Sequence, residues 1–525
     1  KVSTDESLIE GATYQYFDSA SYHYDTEYRY YHYYIPASLK EVTITGGTIN
    51  YQVFKNCSGL ISISIGKGVT SIDNNAFDGC SGLSTVVWDA EECESTDAFS
   101  TLDSITSVKI GENVKTIPSA FKNCGGIANI YISSVESWCK TGELYNLMSY
   151  GSSVKKMYLN GKLLTNLVIP DSVDSIPSSA FNGCSGLTSV TISDSVTSIG
   201  SRAFSGCSGL TKIIIPDSAV SIGDSAFENC SGLTKIVIPD SVTSIGKSVF
   251  KGCNSLISIT LPFVGESKDV TGYRAIFGYI FGYTTSSSNS PIAGATCQYY
   301  ALSTYYHYYI PESIKEVTIV SGSISPHAFE NCSKLTSITI GNDVTSIGSN
   351  AFHHCYELTS ITLPFVGKSK TADDGYDQKF GSVFGGFAPE SLKEVTINGG
   401  TICDAAFKDC TSLTSITISD GVTSIGNAAF KDCTSLTSIT LPFVGASEAA
   451  NSGYDQVFGY IFGYITSSYE SLNNVTYQYA ASNYYHYYIP DSLKEVTITG
   501  GVIGYHAFYN CNKLTNITVG NDVTS

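Results

Sequence analysis

Positive charge is scarce in this sequence. Lys and Arg together number 29 against 47 Asp and Glu, the formal net charge is −18, and three arginines occur. Nucleic-acid binding needs clustered cations that displace counterions from phosphates, and an anionic membrane surface repels a chain of this charge. We therefore expect neither nucleic acid nor an anionic membrane surface among the partners.

Long hydrophobic runs are also missing. A membrane-spanning helix needs about 18 or more consecutive apolar residues, and the sequence contains no such run, so no membrane insertion is expected. Charged residues make up 14% of the chain and hydrophobic residues 42%. A chain this apolar can bury a large core, which excludes wholesale disorder.

The short motifs of catalysis and metal binding are absent as well. We find no Cys-x-x-Cys or His-x-x-x-His pair for a metal, no Gly-rich loop followed by Lys and Ser or Thr for a phosphate, and no Gly-x-Ser-x-Gly turn for a nucleophile. The acidic run at Asp373 and Asp374 lacks the ligand spacing of a calcium loop. The sequence predicts no enzyme activity, no catalytic residues, no cofactor and no metal site.

Internal repetition is what the sequence has in abundance. Phe181, Phe204 and Phe227 are spaced by 23 residues, and each is followed three positions later by a cysteine. The Phe-x-x-Cys unit accounts for twelve of the 16 cysteines. These are Cys57, Cys80, Cys124, Cys184, Cys207, Cys230, Cys253, Cys332, Cys355, Cys410, Cys433 and Cys511. A period of about 20–29 residues is typical of leucine-rich repeats.

Each unit also carries a strand pattern, such as Leu335-Thr-Ser-Ile338-Thr-Ile340. Because side chains alternate along a strand, the Ile-x-Ile pair enters the core while Ser and Thr face outward. A second apolar pair, Val344 and Ile347, closes the opposite wall, and Ala-Phe and Cys fill the return turn. The pattern predicts a leucine-rich repeat solenoid with coils of about 23 residues, a parallel β-sheet on one face and little helix. We expect it to run as one continuous array over residues 1–525.

The repeat Ala-Phe-x-x-Cys-x-x-Leu-x-x-Ile-x-Ile-Pro-x-x-Val-x-x-Ile is complete at residues 226–245. It resembles the repeat of the BspA-like leucine-rich repeat proteins, found on the surfaces of host-associated bacteria and some mucosal protozoa. The resemblance implies a secreted or cell-surface protein used in adhesion or protein binding, without catalysis. The chain departs from the usual repeat consensus by lacking its asparagine, and Tyr-rich segments interrupt the array.

Five segments depart from the repeat pattern. They are a Tyr-rich N-terminal segment at 1–37, an irregular segment at 138–169, and insertions at 264–312, 366–390 and 444–491. The irregular segment contains Asn-Gly between two apolar runs, which predicts a two-residue hairpin. In the insertions, aromatic residues alternate with Gly, Ser and His, a pattern that predicts short strands or hairpins rather than helices. The last residues break off inside a repeat unit, so we expect a piece of a longer protein.

The repeat cysteines admit two interpretations. Thiols of neighbouring coils lie within disulfide reach, at about 5 Å, but side chains that project in parallel fit the bridge dihedral poorly. Buried thiols that act as small hydrophobic groups are therefore favoured. The eight histidines are interpreted as structural or solvated, and three of them, His32, His307 and His486, share one slot among tyrosines, which suggests packing.

Two surfaces are candidates for binding. One is the face of Ser and Thr that the strands display, for example at Thr339 and Thr417. The other consists of insertion tyrosines, because tyrosine offers rigid apolar area with a polar tip. These are Tyr279, Tyr283, Tyr305, Tyr306, Tyr308, Tyr460, Tyr464, Tyr484, Tyr485 and Tyr487. Alternation also predicts that about half of them face inward and cover the flank of the array.

The function hypothesis is an extracellular or cell-surface protein that binds a host or community macromolecule through the repeat surface. Its expected partner is an extracellular protein or a glycan. One alternative is a glycan-binding module that stacks insertion tyrosines on sugar rings. The other is a passive spacer that holds a functional domain away from the cell.

Overall fold

The computed structural model describes most of the chain, in eleven ranges. They are residues 2–3, 12–18, 30–36, 38–95, 97–286, 296–298, 305–370, 378–448, 454–465, 476–480 and 483–524. The chain forms two compact units. The first comprises Lys1–Leu233 with Ser248–Asn254, and the second comprises Thr234–Lys247 with Ser255–Ser525.

Short strands are the main element of both units. The strands of the first unit are Val2–Ser3, Ala12–Asp18, Tyr30–Pro36, Glu41–Ile49, Ser62–Ile72, Thr85–Trp88, Ser107–Ile110, Asn129–Ile132, Lys156–Leu159, Lys162–Leu163, Asn166–Val168, Ser175–Ile176, Ser189–Thr191, Ser198–Ile199, Lys212–Ile214 and Ser221–Ile222. Those of the second unit are Lys235–Val237, Ser244–Ile245, Ser258–Leu261, Tyr283–Ser286, Thr296–Gln298, Tyr305–Tyr308, Glu316–Ile324, Ser337–Ile347, Ser360–Leu363, Glu394–Ile402, Ser415–Ile425, Ser438–Leu441, Tyr464–Ile465, Thr476–Ala480, Asn483–Tyr487, Glu495–Val502 and Asn516–Thr524.

Helices are few and short. The α-helices are Val135–Lys140 and Tyr145–Met148. The 3-10 helices are Ser119–Phe121, Gly272–Ala275, Phe277–Phe281, Phe380–Phe384, Tyr454–Gln456 and Phe458–Phe462. Within the described residues, no helix combines the length and the apolar character that crossing a bilayer requires.

Successive coils pair their strands in parallel and in register. Ile338 lies between Val317 of the preceding coil and Ile361 of the next, so apolar residues form continuous buried rows. Burying one such side chain contributes about 1.5–3 kcal/mol, and each coil repeats the gain. The second unit thereby builds a ten-stranded sheet and the first a seven-stranded one. This confirms the predicted leucine-rich repeat solenoid, mostly of parallel sheet and with little helix.

Phenylalanine rings stack along the core. The ring centroids of Phe181 and Phe204 lie 5.4 Å apart, and those of Phe204 and Phe227 lie 5.6 Å apart with planes 3° from parallel. All three side chains are fully buried. An aromatic pair of this kind adds about 0.5–1.5 kcal/mol to the burial of its area. The 23-residue spacing of phenylalanine therefore reflects one ring per coil in a common stack.

The residue before each repeat cysteine adopts a left-handed backbone conformation. Asn229 has φ 60°, Gly252 φ 75° and Asp409 φ 64°. Residues with a Cβ rarely adopt this region, and Gly, Asn and Asp tolerate it best. Eleven of the twelve repeat cysteines follow one of these three residue types, and the exception is His354.

The Phe-Gly-x-x-Phe part of each insertion forms a buried 3-10 helix, so the prediction of strands or hairpins was wrong for this part. Phe384 approaches Phe352 at 5.9 Å and Phe380 approaches Phe407 at 4.6 Å, so both rings continue the core stack. Residues four apart on a strand are about 13 Å apart, whereas the rings of Phe380 and Phe384 lie 5.1 Å apart. A helical turn is therefore needed to bring both rings into the stack.

The Tyr-rich parts do form strands, as predicted. Three small antiparallel sheets each have a central strand that contains Tyr-Tyr-His-Tyr, namely Tyr30–Pro36, Tyr305–Tyr308 and Asn483–Tyr487. In the second unit, Tyr283 pairs with Tyr308 and Ser286 with Tyr305. The sheet thus brings together tyrosines that are distant in the sequence.

The irregular segment combines helix and hairpin. Helix Val135–Lys140 begins at Ser134, whose Oγ accepts a hydrogen bond from the Ser137 N–H at 3.2 Å, an N-cap. Lys156–Leu159 and Lys162–Leu163 pair antiparallel across Asn160-Gly161, with φ 50° and 78° at the two turn residues. This is the two-residue turn that the Asn-Gly dipeptide predicts.

Candidate functional site

The tyrosines of the first insertion form one aromatic cluster. The ring of Tyr306 stacks on that of Tyr273, with centroids 4.5 Å apart and planes 3° from parallel. Tyr283 lies edge-on to both, at 5.3 Å from Tyr306 and 5.6 Å from Tyr273. Since each ring restrains the others, the cluster is a preorganised surface of aromatic carbon and hydroxyl groups.

Charged side chains border this tyrosine cluster. Lys247 Nζ lies 5.0 Å from the ring centroid of Tyr283, and the Arg274 guanidinium lies 5.5 Å from that of Tyr273. Arg274 Nη1 also forms an ion pair with Glu266 Oε2 at 3.1 Å. A cation over an exposed aromatic ring contributes about 0.5–1 kcal/mol. The cluster therefore has an apolar centre and a polar border.

Three of the ten candidate tyrosines are packing residues. Tyr279, Tyr308 and Tyr487 have exposed fractions of 5%, 0% and 0%. The Tyr308 hydroxyl donates a hydrogen bond to the Tyr273 carbonyl at 2.8 Å, and its ring covers Gly278, where a Cβ would lie 2.3 Å from the Tyr308 Cβ. Buried rings cannot contact a partner directly. Tyr308 and Tyr487 anchor the small sheets to the coils, and Tyr279 packs within the 3-10 helix, where its hydroxyl donates to Glu266 Oε1 at 3.2 Å.

The structure describes the side chains of five of the seven remaining candidate tyrosines. Half-buried side chains belong to Tyr283, Tyr305, Tyr306, Tyr460 and Tyr464. The side chains of Tyr484 and Tyr485 lie outside the described residues. The tyrosines able to contact a partner are therefore the half-buried ones.

Two tyrosine hydroxyls of the cluster have shifted pKa values. Burial, together with a hydrogen bond that its hydroxyl donates to Tyr273, raises the pKa of Tyr283 to about 12. A hydrogen bond with Arg274 lowers the pKa of Tyr273 from its ordinary value. The Tyr283 hydroxyl is therefore protonated at neutral pH, and both hydroxyls can exchange hydrogen bonds with a ligand.

The last insertion repeats the arrangement with different charges. The rings of Tyr464 and Tyr487 lie 5.8 Å apart, and a Cβ on Gly459 would lie 2.4 Å from Tyr487 Cγ. Lys431 Nζ lies 5.5 Å from the ring centroid of Tyr488. The packing of tyrosine on glycine is thus common to both copies.

The ten-stranded sheet displays an uninterrupted row of threonines. They occupy the same register position on nine neighbouring strands, and we call them the threonine row: Thr260, Thr318, Thr339, Thr362, Thr396, Thr417, Thr440, Thr497 and Thr518. Ser360 Oγ donates to Ser337 Oγ at 3.0 Å in the adjacent column. On eight of the nine strands, buried Ile, Val or Leu residues flank the threonine on both sides, so the row presents hydroxyl and methyl groups at fixed spacing.

A separate polar group lies at the return turns of two neighbouring coils in the second unit. Glu330, His353 and His354 each offer a potential metal-ligand atom, and these atoms all lie within 4.8 Å of one another. Glu330 Oε2 is 2.9 Å from His327 Nδ1, and Glu330 Oε1 is 3.2 Å from His353 Nδ1. The sequence predicted no metal site because no ligand pair of the usual spacing occurs within one coil, whereas these residues come from two coils.

The repeats that carry these surfaces match a described family. The BspA type leucine rich repeat region matches in six copies, over residues 26–141, 152–269, 302–373, 385–451 and 481–525. The chain belongs to this BspA-type family. No curated protein matches the sequence.

Several solved leucine-rich repeat structures are similar to this BspA-type chain. A leucine-rich repeat protein from Bacteroides ovatus is 22% identical, with coverage of 83% of this chain and 95% of that one and a TM-score of 0.41. A leucine rich cell surface protein from Faecalibacterium prausnitzii is 24% identical, with coverage of 84% and 94% and a TM-score of 0.23. The pneumococcal vaccine antigen PcpA is 14% identical, with coverage of 69% and 84% and a TM-score of 0.28. Identities at this level concern the fold alone.

The repeat cysteine has a defined packing role in the BspA-type coil. The Cys230 thiol donates to the carbonyl of Phe204 in the preceding coil at 3.2 Å, and the Cys253 thiol donates to that of Phe227 at 3.1 Å. The same Phe204 carbonyl accepts the Cys207 N–H at 3.2 Å. One thiol per coil therefore satisfies a buried acceptor and joins neighbouring coils, which explains the Phe-x-x-Cys spacing.

These thiols are not placed for chemistry. None of the fifteen cysteines whose side chains the structure describes forms a disulfide, and most of them are buried, as expected of small hydrophobic groups. Burial raises the pKa of Cys253 to about 12. Since the thiolate is the nucleophile, a buried and protonated thiol is unreactive at neutral pH.

Proposed function

We propose that this chain is a cell-surface or secreted protein that binds an extracellular protein through the threonine row. The observation that carries the proposal is the row itself: nine strands present the same side chain in register. At about 4.8 Å per strand the row extends roughly 40 Å, a length suited to a protein partner.

The rigidity of this surface supports binding. Strand backbones fix the threonine positions, and threonine has few rotamers, so little conformational entropy is lost on association. The hydroxyl groups offer donors and acceptors and the methyl groups offer apolar area. Membership of the BspA-type family supports a role outside the cell in protein binding.

The test places bulk and charge in the row. We expect Thr362→Arg with Thr417→Arg to reduce binding to immobilised extracellular-matrix proteins at least tenfold, because two arginines would hold a partner off the flat face. The matched control is Thr345→Arg with Thr423→Arg, at exposed positions outside the row. Equal binding by both variants would show that the row is not the contact surface.

A second candidate function is glycan binding by the tyrosine cluster. It is favoured by the half-buried rings of Tyr283 and Tyr306 beside the ammonium of Lys247. Replacing residues 283–310 by Gly386-Phe387-Ala388, the short link of the middle insertion, removes the small sheet and keeps the coils. Loss of glycan-array binding with retained protein binding would assign glycans to the cluster, and no binding to either class by the parent chain would favour a spacer.

A further inference from the structure

The position after the repeat phenylalanine holds an ion pair in two pairs of neighbouring coils. Lys251 Nζ lies 3.1 Å from Glu228 Oε1, and Lys55 Nζ lies 3.9 Å from Asp78 Oδ2. These pairs link residues 23 apart at the same turn of the coil. An acidic residue at this position can therefore pair with a lysine of the neighbouring coil.

The two coils that contain Glu330 and His353 have a histidine where the lysine of such an ion pair would stand. Glu330 occupies the place of Glu228, but His353 stands where Lys251 pairs with it. His354 occupies the left-handed position, with φ 61°, where the other repeats have Asn, Gly or Asp. Adjacent histidines therefore stand here in place of the residue that pairs with the carboxylate and of the residue at the left-handed position of the turn.

Glu330 is a buried carboxylate held between two imidazoles. Its exposed fraction is 5%, and its two oxygens face His327 and His353 at 2.9 and 3.2 Å. The carboxylate is therefore held in place by both imidazoles, in a turn that largely shields it from water.

His354 is oriented with one nitrogen available. Its Nδ1 lies 3.0 Å from Asn331 Oδ1, an acceptor, so Nδ1 carries the proton and Nε2 carries the lone pair. A histidine whose second nitrogen is fixed by a hydrogen bond is the usual form of a metal ligand.

We propose that Glu330, His353 and His354 bind a divalent transition-metal ion of the zinc class, with His327 as a positioning residue for the carboxylate. One carboxylate and two imidazoles are ligands that zinc, copper and nickel prefer over calcium or magnesium. Three protein ligands leave a fourth position for water, as the partial exposure of the turn allows.

Binding requires a small rearrangement of the two rings. The rings of His353 and His354 stack with centroids 3.6 Å apart. They must therefore rotate apart before one nitrogen of each ring can coordinate the same ion. The His353 side chain is 33% exposed, which permits this rotation. A Cβ on Gly385 would lie 2.8 Å from His353 Cδ2, so this glycine leaves room for the ring.

The test uses the purified chain, freed of metal, titrated with Zn²⁺ by calorimetry and with Co²⁺ by absorption. We expect one ion per chain and a Co²⁺ spectrum without a thiolate charge-transfer band, because the repeat thiols are buried. His327→Gln should weaken the affinity about 10–100-fold as a positioning change. His353→Lys and His354→Asn should weaken it further, since each removes a ligand.

Two features of the variants keep the outcome decisive. His353→Lys recreates the Glu–Lys pair seen between Glu228 and Lys251, and His354→Asn restores the residue type of other repeats, so both should fold with unchanged circular dichroism. His506→Ala, at another repeat turn, is the control that keeps the affinity. Unchanged affinity in both ligand variants, or a thiolate band with Co²⁺, would overturn the proposal.

Discussion

The first and middle insertions are alike in the part that joins the array. Each follows its 3-10 helix with a serine that donates to a leucine carbonyl of the preceding coil, Ser313 to Leu256 and Ser391 to Leu358, both at 2.7 Å. In both copies the helix places two phenylalanines in the core stack. The helix and the serine bond therefore amount to a variant coil, and the array continues through each insertion.

The same two insertions differ in what covers the second residue of the helix. In the first, Tyr308 of the small sheet packs on Gly278. In the middle copy there is a tight return instead, because the Gly386 N–H donates to the Gly381 carbonyl at 2.8 Å. The difference teaches that the tyrosine sheet is an addition to a complete coil, so core and candidate binding surface are separable.

The largest loss of stability is expected at the phenylalanines that both insertions place in the core stack. Phe277→Ala and Phe380→Ala should each lower the free energy of unfolding by about 3–5 kcal/mol, because both rings are buried in the stack. Chemical denaturation measures the loss. Phe387→Ala, at a ring that is 82% exposed, is the control and should change little. A loss in one copy alone would break the comparison.

A smaller loss of stability is expected when Gly278, the glycine that Tyr308 covers in the first insertion, is substituted. Gly278→Ala should cost about 1–3 kcal/mol, because its Cβ would lie 2.3 Å from the Tyr308 Cβ and the sheet would have to shift. Thermal unfolding measures the cost. Gly504→Ala is the matched control, since its Cβ would meet nothing closer than 3.6 Å. If Gly278→Ala were as stable as the parent, the sheet would not be anchored there.

A third variant tests the anchor hydroxyl. Tyr308→Phe removes the buried hydrogen bond to the Tyr273 carbonyl and should cost about 0.5–1.5 kcal/mol. The middle copy has no tyrosine sheet of this kind among its described residues and supplies the reference. With denaturation as the measurement, a cost above that of Gly278→Ala would mean that the hydroxyl, and not the ring packing, holds the sheet.

The last effect is expected only at alkaline pH. Tyr283 has an ordinary pKa of 10 in the unfolded chain and about 12 when folded, so folding favours its neutral form. The resulting stability is full below pH 10 and is lost as the pH rises towards 12. Tyr283→Phe should flatten this decline in a pH series of unfolding curves, and Tyr356→Phe, at an exposed ring, should not.

The coil could be predicted from sequence because its determinants are local and repeated. Each Phe-x-x-Cys unit is followed by the same Leu and Ile spacing, and burial of those residues leaves one arrangement of strands. The Asn160-Gly161 turn and the strands of the Tyr-rich segments are likewise governed by neighbouring residues. The sequence pattern was sufficient to predict the structure wherever the residues that determine it are close together in the chain.

The sequence did not predict features that depend on contacts between residues far apart in the chain. Alternation indicated that half of the insertion tyrosines face inward, but which ones depends on Gly278 and Gly459, much earlier in the same insertions. Lys247 reaches the tyrosine cluster only through the fold and gave no local signal. The Glu330 and His353 pair becomes visible only when residues 23 apart are compared position by position.

The threonine row has a consequence for how a partner would find its place. A surface that repeats with the coil has translational symmetry, so a partner displaced by one strand meets the same hydroxyl and methyl groups. That symmetry is broken in the adjacent column, where Glu316, Glu394 and Glu495 take the place of serine beside identical threonines. For the proposed protein partner, these three carboxylates would therefore distinguish one position along the row from the next.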